Sequence, residues 1–252
     1  MLNLIYRVYE KSLERSLDKS NLPKHVAVML DGNRRWAERT GGEAKIGHAA
    51  GAQKIFEFLK WCDEIGINVV TLYLLSTENL KRRDSRELAD LLSIIGQLAA
   101  EMAARGKWRI KLAGDRDALP PELAETIRLA EEKSKSITTF NVNLAVAYGG
   151  RQEIATAMRE VLKDHAKRGT TIEQLAELLQ PEHITEHLYT GGQPDPDLII
   201  RTSGEQRLSG FLLWQSTNSE LYFEEALWPD FRKVDFLRAI RAFESRHRRF
   251  GA

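Results

Sequence analysis

A single α/β domain, its mostly parallel sheet covered by helices, is the fold class this 252-residue sequence predicts. Three observations carry that reading. After Pro23, short apolar runs alternate with longer stretches of helical periodicity. Polar, glycine-bearing turns follow the apolar runs, as they do at the carboxyl ends of parallel strands. No repeat, low-complexity segment or clear linker divides the chain, so one domain accounts for residues 23–252.

Taken in order, residues 1–22 open with Leu4, Ile5, Val8, Leu13 and Leu17 set between Arg7, Lys11, Arg15 and Lys19, the pattern of an amphipathic helix. Packing or a dimer contact is the ordinary use of such a helix. Peripheral contact with a membrane is the alternative that its basic face allows. Strands are predicted at 25–30, 69–75, 108–113, 140–147 and 198–201, with a sixth near 211–214, and helices fill the intervals. Gly66 suits the position just past a helix end, and Pro120-Pro121 suits the start of another.

Composition narrows the function classes. The 37 basic and 36 acidic residues nearly cancel, which removes the footprint of a general nucleic-acid binder and makes any anion site local. With Cys62 the only cysteine, neither an internal disulfide nor a cysteine-rich zinc site can form. No secretory hydrophobic segment or membrane-length apolar run is present, so a cytoplasmic enzyme is the expectation.

The candidate chemistry lies at the strand ends. The first strand runs into Asp31, Gly32, Asn33, Arg34, Arg35 and Trp36; the second into Ser76, Thr77, Glu78 and Asn79, then Lys81, Arg82 and Arg83. The fourth leads to Tyr148, Gly149, Gly150 and Arg151, and the fifth from Arg201 through Thr202, Ser203 and Gly204 to Arg207 and Ser209. Guanidinium forks match phosphate oxygens, and glycine turns let backbone N–H groups approach them, so a diphosphate is the ligand these parts suit. Asp31, a lone carboxylate among cations, suits Mg²⁺, which takes one or two carboxylates and completes its shell with phosphate and water. Alone, Asp31-Gly32 is an ordinary strand-end turn; repetition over four strand ends favours the site.

Other candidates are weaker. His183 and His187 have the spacing of a helical metal pair but lack a third ligand. Asp195 and Asp197 precede a strand, at the wrong end of the sheet, and read as turn residues. Neither GxxxxGK[ST] nor GxGxxG occurs.

The segments HVAVMLDGNRRWA, GHAAGA, LYLLSTEN, AYGGR and DLIIRTSGEQRLSGFLLWQ, followed by ELYF and WPDF, resemble the cis-prenyltransferases over nearly the whole chain, from about residue 25 to 251. The resemblance is closest to the short-chain Z-farnesyl diphosphate synthase branch. It implies a homodimer, a six-stranded parallel sheet and an apolar tunnel for the growing isoprenoid. It makes residues 23–252 the catalytic domain and implies magnesium-dependent condensation of an allylic diphosphate with isopentenyl diphosphate.

By position it assigns Asp31 as the essential aspartate and Gly32, Asn33, Arg34, Arg35, Trp36 and His48 to the allylic site. It puts Ser76 and Asn79 beside the reacting centre, with Asn79 an organiser rather than a base, and counts Thr77, Glu78 and Arg82 among the substrate-binding residues. Arg201, Arg207, Leu208 and Ser209 go to the isopentenyl site, Glu220 to a second magnesium-associated carboxylate, and Arg249 and Gly251 to a C-terminal element that acts across the dimer. Three departures stand out: Ala44 where long-chain members carry a loop arginine, with Lys45 a candidate substitute; Leu80 in place of tryptophan; and Gln206 in place of a histidine. Leu74 stands where long-chain relatives often carry a small residue, which implies a short product, (2Z,6E)-farnesyl diphosphate. The alternatives are a longer-chain synthase, a terpene cyclase or irregular coupling enzyme on the same fold, and a non-catalytic subunit.

Overall fold

The computed structural model describes the backbone of residues 2–246 and the side chains of residues 9–246. Its strands are β1 (His25–Met29), β2 (Val69–Ser76), β3 (Arg109–Ala113), β4 (Asn141–Tyr148), β5 (Leu198–Arg201) and β6 (Glu220–Phe223). The helices are α1 (Leu2–Ser16), α2 (Asn33–Arg39), α3 (Ala44–Ile65), α4 (Thr77–Arg82), α5 (Ser85–Arg105), α6 (Pro121–Ser134), α7 (Gly150–Lys167), α8 (Ile172–Leu178), α9 (Pro181–Glu186) and α10 (Lys233–Glu244).

One six-stranded sheet runs in the order β3-β4-β2-β1-β5-β6, every pair parallel. The central strands bury both faces, which is why β1 reads HVAVM without strict polar alternation. One face packs Val26, Val28, Val70 and Leu72 against α3, α5, α6 and α10; the other packs Ala27, Met29, Ala145 and Ile199 under the 211–212 segment. Local signals act as expected: Gly66 ends α3 at φ 88°, and Pro121 opens α6. Among the described residues, no helix is long and apolar enough to cross a membrane.

The sixth strand corrects the sequence reading. It is Glu220–Phe223, not 211–214. Phe211 and Leu212 belong to a turn that is buried completely beneath the sheet, so their apolar run reports burial rather than extended backbone. The ELYF strand, half-buried at the sheet edge, gives a weaker apolar signal.

Candidate active site

At the carboxyl end of β1, the chain must turn at once into α2. Gly32 makes that turn at φ 103°, where an added Cβ would also meet Leu227 Cδ2 at 2.8 Å. Gly47 lets α3 lie against α2, since a Cβ there would come 2.0 Å from the Asn33 carbonyl oxygen. The two helices thus form one unit that presents Asp31, Asn33, Arg34 and Arg35 to a cavity of about 600 Å³.

That cavity has a polar mouth and an apolar limb. The mouth carries Asp31, Gly32, Asn33, Arg34, Arg35, His48, Ser76, Asn79, Arg201 and Arg207, all expected from the sequence. The limb is lined by Ile55 and Ala52 of α3, Leu74 of β2, and Leu91, Ile94, Ile95 and Leu98 of α5. Helix α5 serves the main core as well as the cavity, because Leu91, Ile95 and Leu98 belong to both.

Arg201, only 5% exposed at its side chain, grips Asp31 Oδ2 through Nη2 at 2.7 Å and Nε at 2.9 Å. Its Nη1 donates to the Arg207 carbonyl and to Ser209 Oγ, the latter at 3.2 Å. The Asp31 carboxylate stays 43% exposed, open to a further ligand. Nearby, Asn33 Nδ2 donates to the Leu30 carbonyl at 3.0 Å while its Oδ1 is buried without a partner. Ser76 Oγ accepts the Asn79 N–H at 3.0 Å, capping α4 and fixing Asn79 at the mouth.

A second polar group lies across the mouth, centred on Glu87, which the sequence reading does not single out. Arg83 Nη1 donates to Glu87 Oε1 at 2.7 Å, and His48 Nε2 stands 3.2 Å from the same oxygen. Arg34 Nε lies 3.9 Å from it. Burial pushes the His48 imidazole down from its ordinary value and lowers Arg83 as well. Burial also raises Tyr73, whose residue lines the cavity beside Ser76, to about 12, so its phenol remains protonated near neutrality.

Several expectations are displaced. The arginine facing the cavity is Arg83, not Arg82: α4 is a single short helix, and its last residue Arg82 is exposed while the next faces inward. Trp36 points away from the mouth and donates from Nε1 to Asp230 at 2.8 Å. Lys45 pairs with Asp90 at 2.7 Å and does not line the cavity. Leu208 packs against the second core cluster. Thr77, Glu78 and Ser209 line an adjoining cavity of about 600 Å³ that shares Tyr73 and Ser76 with the first. His183 accepts the Gln180 N–H and His187 pairs with Asp164, which gives each a local partner. Asp197 caps the start of β1, accepting from the N–H groups of Lys24 and His25.

Glu220 is the largest displacement. Leu198 is in register with both Val26 and Glu220, so Glu220 lies at the amino end of the strands, roughly 16 Å along the strand direction from Asp31. Its carboxylate pairs with Arg246 at 2.5 Å. Within this chain, Glu220 and Asp31 cannot flank one ion. Arg249 and Gly251 lie outside the described residues. Among the described residues, no group of three or more His, Cys, Asp or Glu side chains forms a metal cage. The open Asp31 carboxylate fits the other arrangement, a magnesium ion held mainly by ligand phosphate and water.

A family model described as "Putative undecaprenyl diphosphate synthase" matches residues 29–251. The chain is 54% identical over 248 residues to the (2Z,6E)-farnesyl diphosphate synthase of Thermobifida fusca, covering 98% of this chain and 97% of that one. It is 53% identical over 251 residues to the (2Z,6E)-farnesyl diphosphate synthase of Mycolicibacterium smegmatis, covering 98% and 95%. Among solved structures, it matches lavandulyl diphosphate synthase from Lavandula x intermedia in complex with dimethylallyl diphosphate, with a TM-score of 0.85 and 32% identity over 92% of this chain and 100% of that one.

Proposed function

This chain belongs to the undecaprenyl diphosphate synthase family of cis-prenyltransferases, and from that premise we propose that it joins one isopentenyl unit to geranyl diphosphate, giving (2Z,6E)-farnesyl diphosphate. The observation that carries the reading is a cavity whose cationic mouth continues into an apolar limb lined by Leu74 and by Leu91, Ile94, Ile95 and Leu98 of α5. A diphosphate fits the mouth, and an isoprenoid tail fits the limb.

In this reading, Arg34, Arg35, His48 and Arg83 hold the allylic diphosphate, while Arg201, Arg207 and Ser209 hold isopentenyl diphosphate. Asp31 would bind magnesium, which when present neutralises charge gathering on the departing diphosphate. The arginines do the same from fixed positions, and such preorganised charge is the main contribution expected when an anionic group leaves. Asn79 and Ser76 orient the reacting ends. A neutral carboxamide is a poor base, and the Tyr73 phenol stays protonated. The proton released from the isopentenyl unit therefore passes to a diphosphate oxygen. A homodimer and a cytoplasmic location complete the proposal; residues 23–252 are its catalytic unit, and α1 is left for packing, dimer contact or peripheral membrane contact.

Incubation with isopentenyl diphosphate and ten-, fifteen- or twenty-carbon primers, with and without a chelator, tests this. The expected product is a fifteen-carbon diphosphate with one new cis bond, made from the ten-carbon primer and lost with the chelator. Long polyprenyl products would point to a long-chain synthase. Products formed from the primer alone would point to a cyclase, and inactivity with every primer to a non-catalytic subunit.

A further inference from the structure

The turn 207–212 that supplies the partners of Arg201 is held by residues outside the catalytic reading. It contains two non-glycine residues in the left-handed region, Ser209 at φ 47° and Leu212 at φ 47°. Leucine rarely adopts that conformation, and it persists only where the surroundings over-determine it. Leu212 is fully buried, so its N–H needs an internal acceptor. That acceptor is Tyr148 Oη at 3.1 Å. A hydroxyl that receives an N–H must direct its own proton elsewhere, and Tyr148 donates to Glu153 Oε2.

Glu153 in turn is anchored. Its Oε1 accepts the Tyr189 N–H at 2.9 Å and Gln215 Nε2 at 3.1 Å, and the residue is 1% exposed. Burial pushes its carboxyl up from the ordinary value, and these three donors oppose that push. The same turn is pinned twice more. Gly150 N–H donates to the Gly210 carbonyl at 3.1 Å, and Phe211 stacks on Tyr73 with ring centroids 4.5 Å apart. A continuous path thus runs from the first turn of α7, through Tyr148, to the residues that meet the Arg201 guanidinium.

We propose that Tyr148 and Glu153 are positioning residues for the diphosphate grip: they fix the left-handed turn at Leu212, and so place Ser209 Oγ and the Arg207 carbonyl against Arg201. This rests on the reading of Arg201, Arg207 and Ser209 as a diphosphate site. Replacing Tyr148 with Phe keeps the ring in its aromatic packing but removes the acceptor of the Leu212 N–H. The turn should then relax and the grip loosen, without any change in the groups that touch the allylic substrate.

The test measures both Michaelis constants and kcat for Tyr148→Phe, Arg201→Lys, Ser209→Ala and the Tyr148→Phe/Ser209→Ala double variant, with thermal melting as a folding check. Tyr148→Phe should raise the Michaelis constant for isopentenyl diphosphate about tenfold and leave the allylic constant within twofold. In the Ser209→Ala background its effect should shrink, because residues acting through one another are not additive. If Arg201→Lys weakens the allylic substrate instead and Tyr148→Phe follows it, the choice of substrate is wrong but the positioning role stands. If Arg201→Lys changes a Michaelis constant and Tyr148→Phe leaves that constant within twofold, or multiplies fully with Ser209→Ala, the inference fails. Should Tyr148→Phe not fold, Glu153→Gln takes its place, with the same outcomes supporting or overturning the positioning role.

Discussion

Toward the amino ends of the strands, three buried polar side chains and the half-buried Gln193 use up one another's hydrogen-bonding capacity. His25 Nδ1 donates to the Pro194 carbonyl at 2.7 Å, Thr71 Oγ1 donates to His25 Nε2 at 2.8 Å, and Asn143 Nδ2 donates to Thr71 at 2.9 Å. Asn143 and Gln193 then exchange amide bonds at 2.7 and 3.0 Å. At the carboxyl end the arrangement is open. Asp31 and Arg34 keep exposed faces, and Asn33 Oδ1 is buried with nothing to accept from. Both clusters are rich in the residue types that catalyse reactions. The closed one holds strands in place; the open one retains valence for a ligand.

The sharpest break in that comparison is Asp31→Asn. Size and burial change little, while the charge that pairs with Arg201, and that would hold magnesium in the proposed reading, is lost. Turnover should fall by about a thousandfold, the scale of losing a preorganised transition-state contact. Melting should fall as well, because the buried Arg201 guanidinium loses its counter-charge, but by far less than turnover, since the amide keeps an oxygen that can accept from it. A variant with turnover within tenfold of the parent would falsify the assignment.

Single cations at the mouth should cost less and should separate the two substrates. Arg207→Ala removes a charged donor set, expected to raise the Michaelis constant for isopentenyl diphosphate about 10- to 100-fold. Arg83→Ala should raise the allylic constant by a similar factor. Steady-state titration of each substrate at saturating partner decides it: equal effects on both constants would merge the two proposed sites into one.

The closed cluster makes the opposite prediction, a change in stability with kinetics untouched. Burial pushes His25 down to about 4, against an unfolded value near 6.5. Above pH 6.5 the ring is neutral in both states. Between pH 6.5 and 4 the unfolded chain takes up a proton that the folded chain refuses. Stability should therefore fall across that window by up to about 3 kcal/mol and level off below it. Denaturant melts of the parent and His25→Gln from pH 7.5 to 4.5 should differ in slope over that range. Parallel curves would show that His25 titrates normally.

The same contrast explains what is legible in the sequence. The parallel sheet and the strand-end site can be read because strand ends repeat a local pattern: apolar run, glycine, cation. Most of the mouth residues are visible that way, and His48 through the family resemblance. Glu87 does not stand out, and Arg83 cannot be told from Arg82, because which residue after a one-turn helix faces inward depends on the next helix, and flanking arginines look alike. Phe211 and Leu212 read as a strand because burial, not hydrogen-bonded pairing, makes them apolar. The positions of Glu220 and Lys45 follow from strand register and an ion pair with Asp90, neither of which spacing encodes.

The smallest expected effect is on product length, where the limb of the open site meets the core. Simple alternation along β2 would put Leu74 and Ser76 on one face with Leu75 opposed. The register of β2 against β4 instead shifts between Tyr73 and Leu75 and again before Ser76, a bulge that turns both Leu74 and Leu75 toward the main core. Leu75 is buried and Leu74 half-buried there, and both line the cavity with Leu91, Ile94, Ile95 and Leu98 of α5. Because Leu74 borders open space, Leu74→Ala should cost less than the roughly 2–5 kcal/mol typical of a fully buried leucine. The methyl groups it removes line the cavity that the proposed reading gives to the isoprenoid tail. Under excess isopentenyl diphosphate, the variant should add at least one further unit to part of its product while its turnover with the ten-carbon primer stays within severalfold. Chromatography of the dephosphorylated products reads this directly. An unchanged length distribution from a folded Leu74→Ala enzyme would move the stop to the other apolar lining residues, Ile55 of α3 and Leu98 of α5.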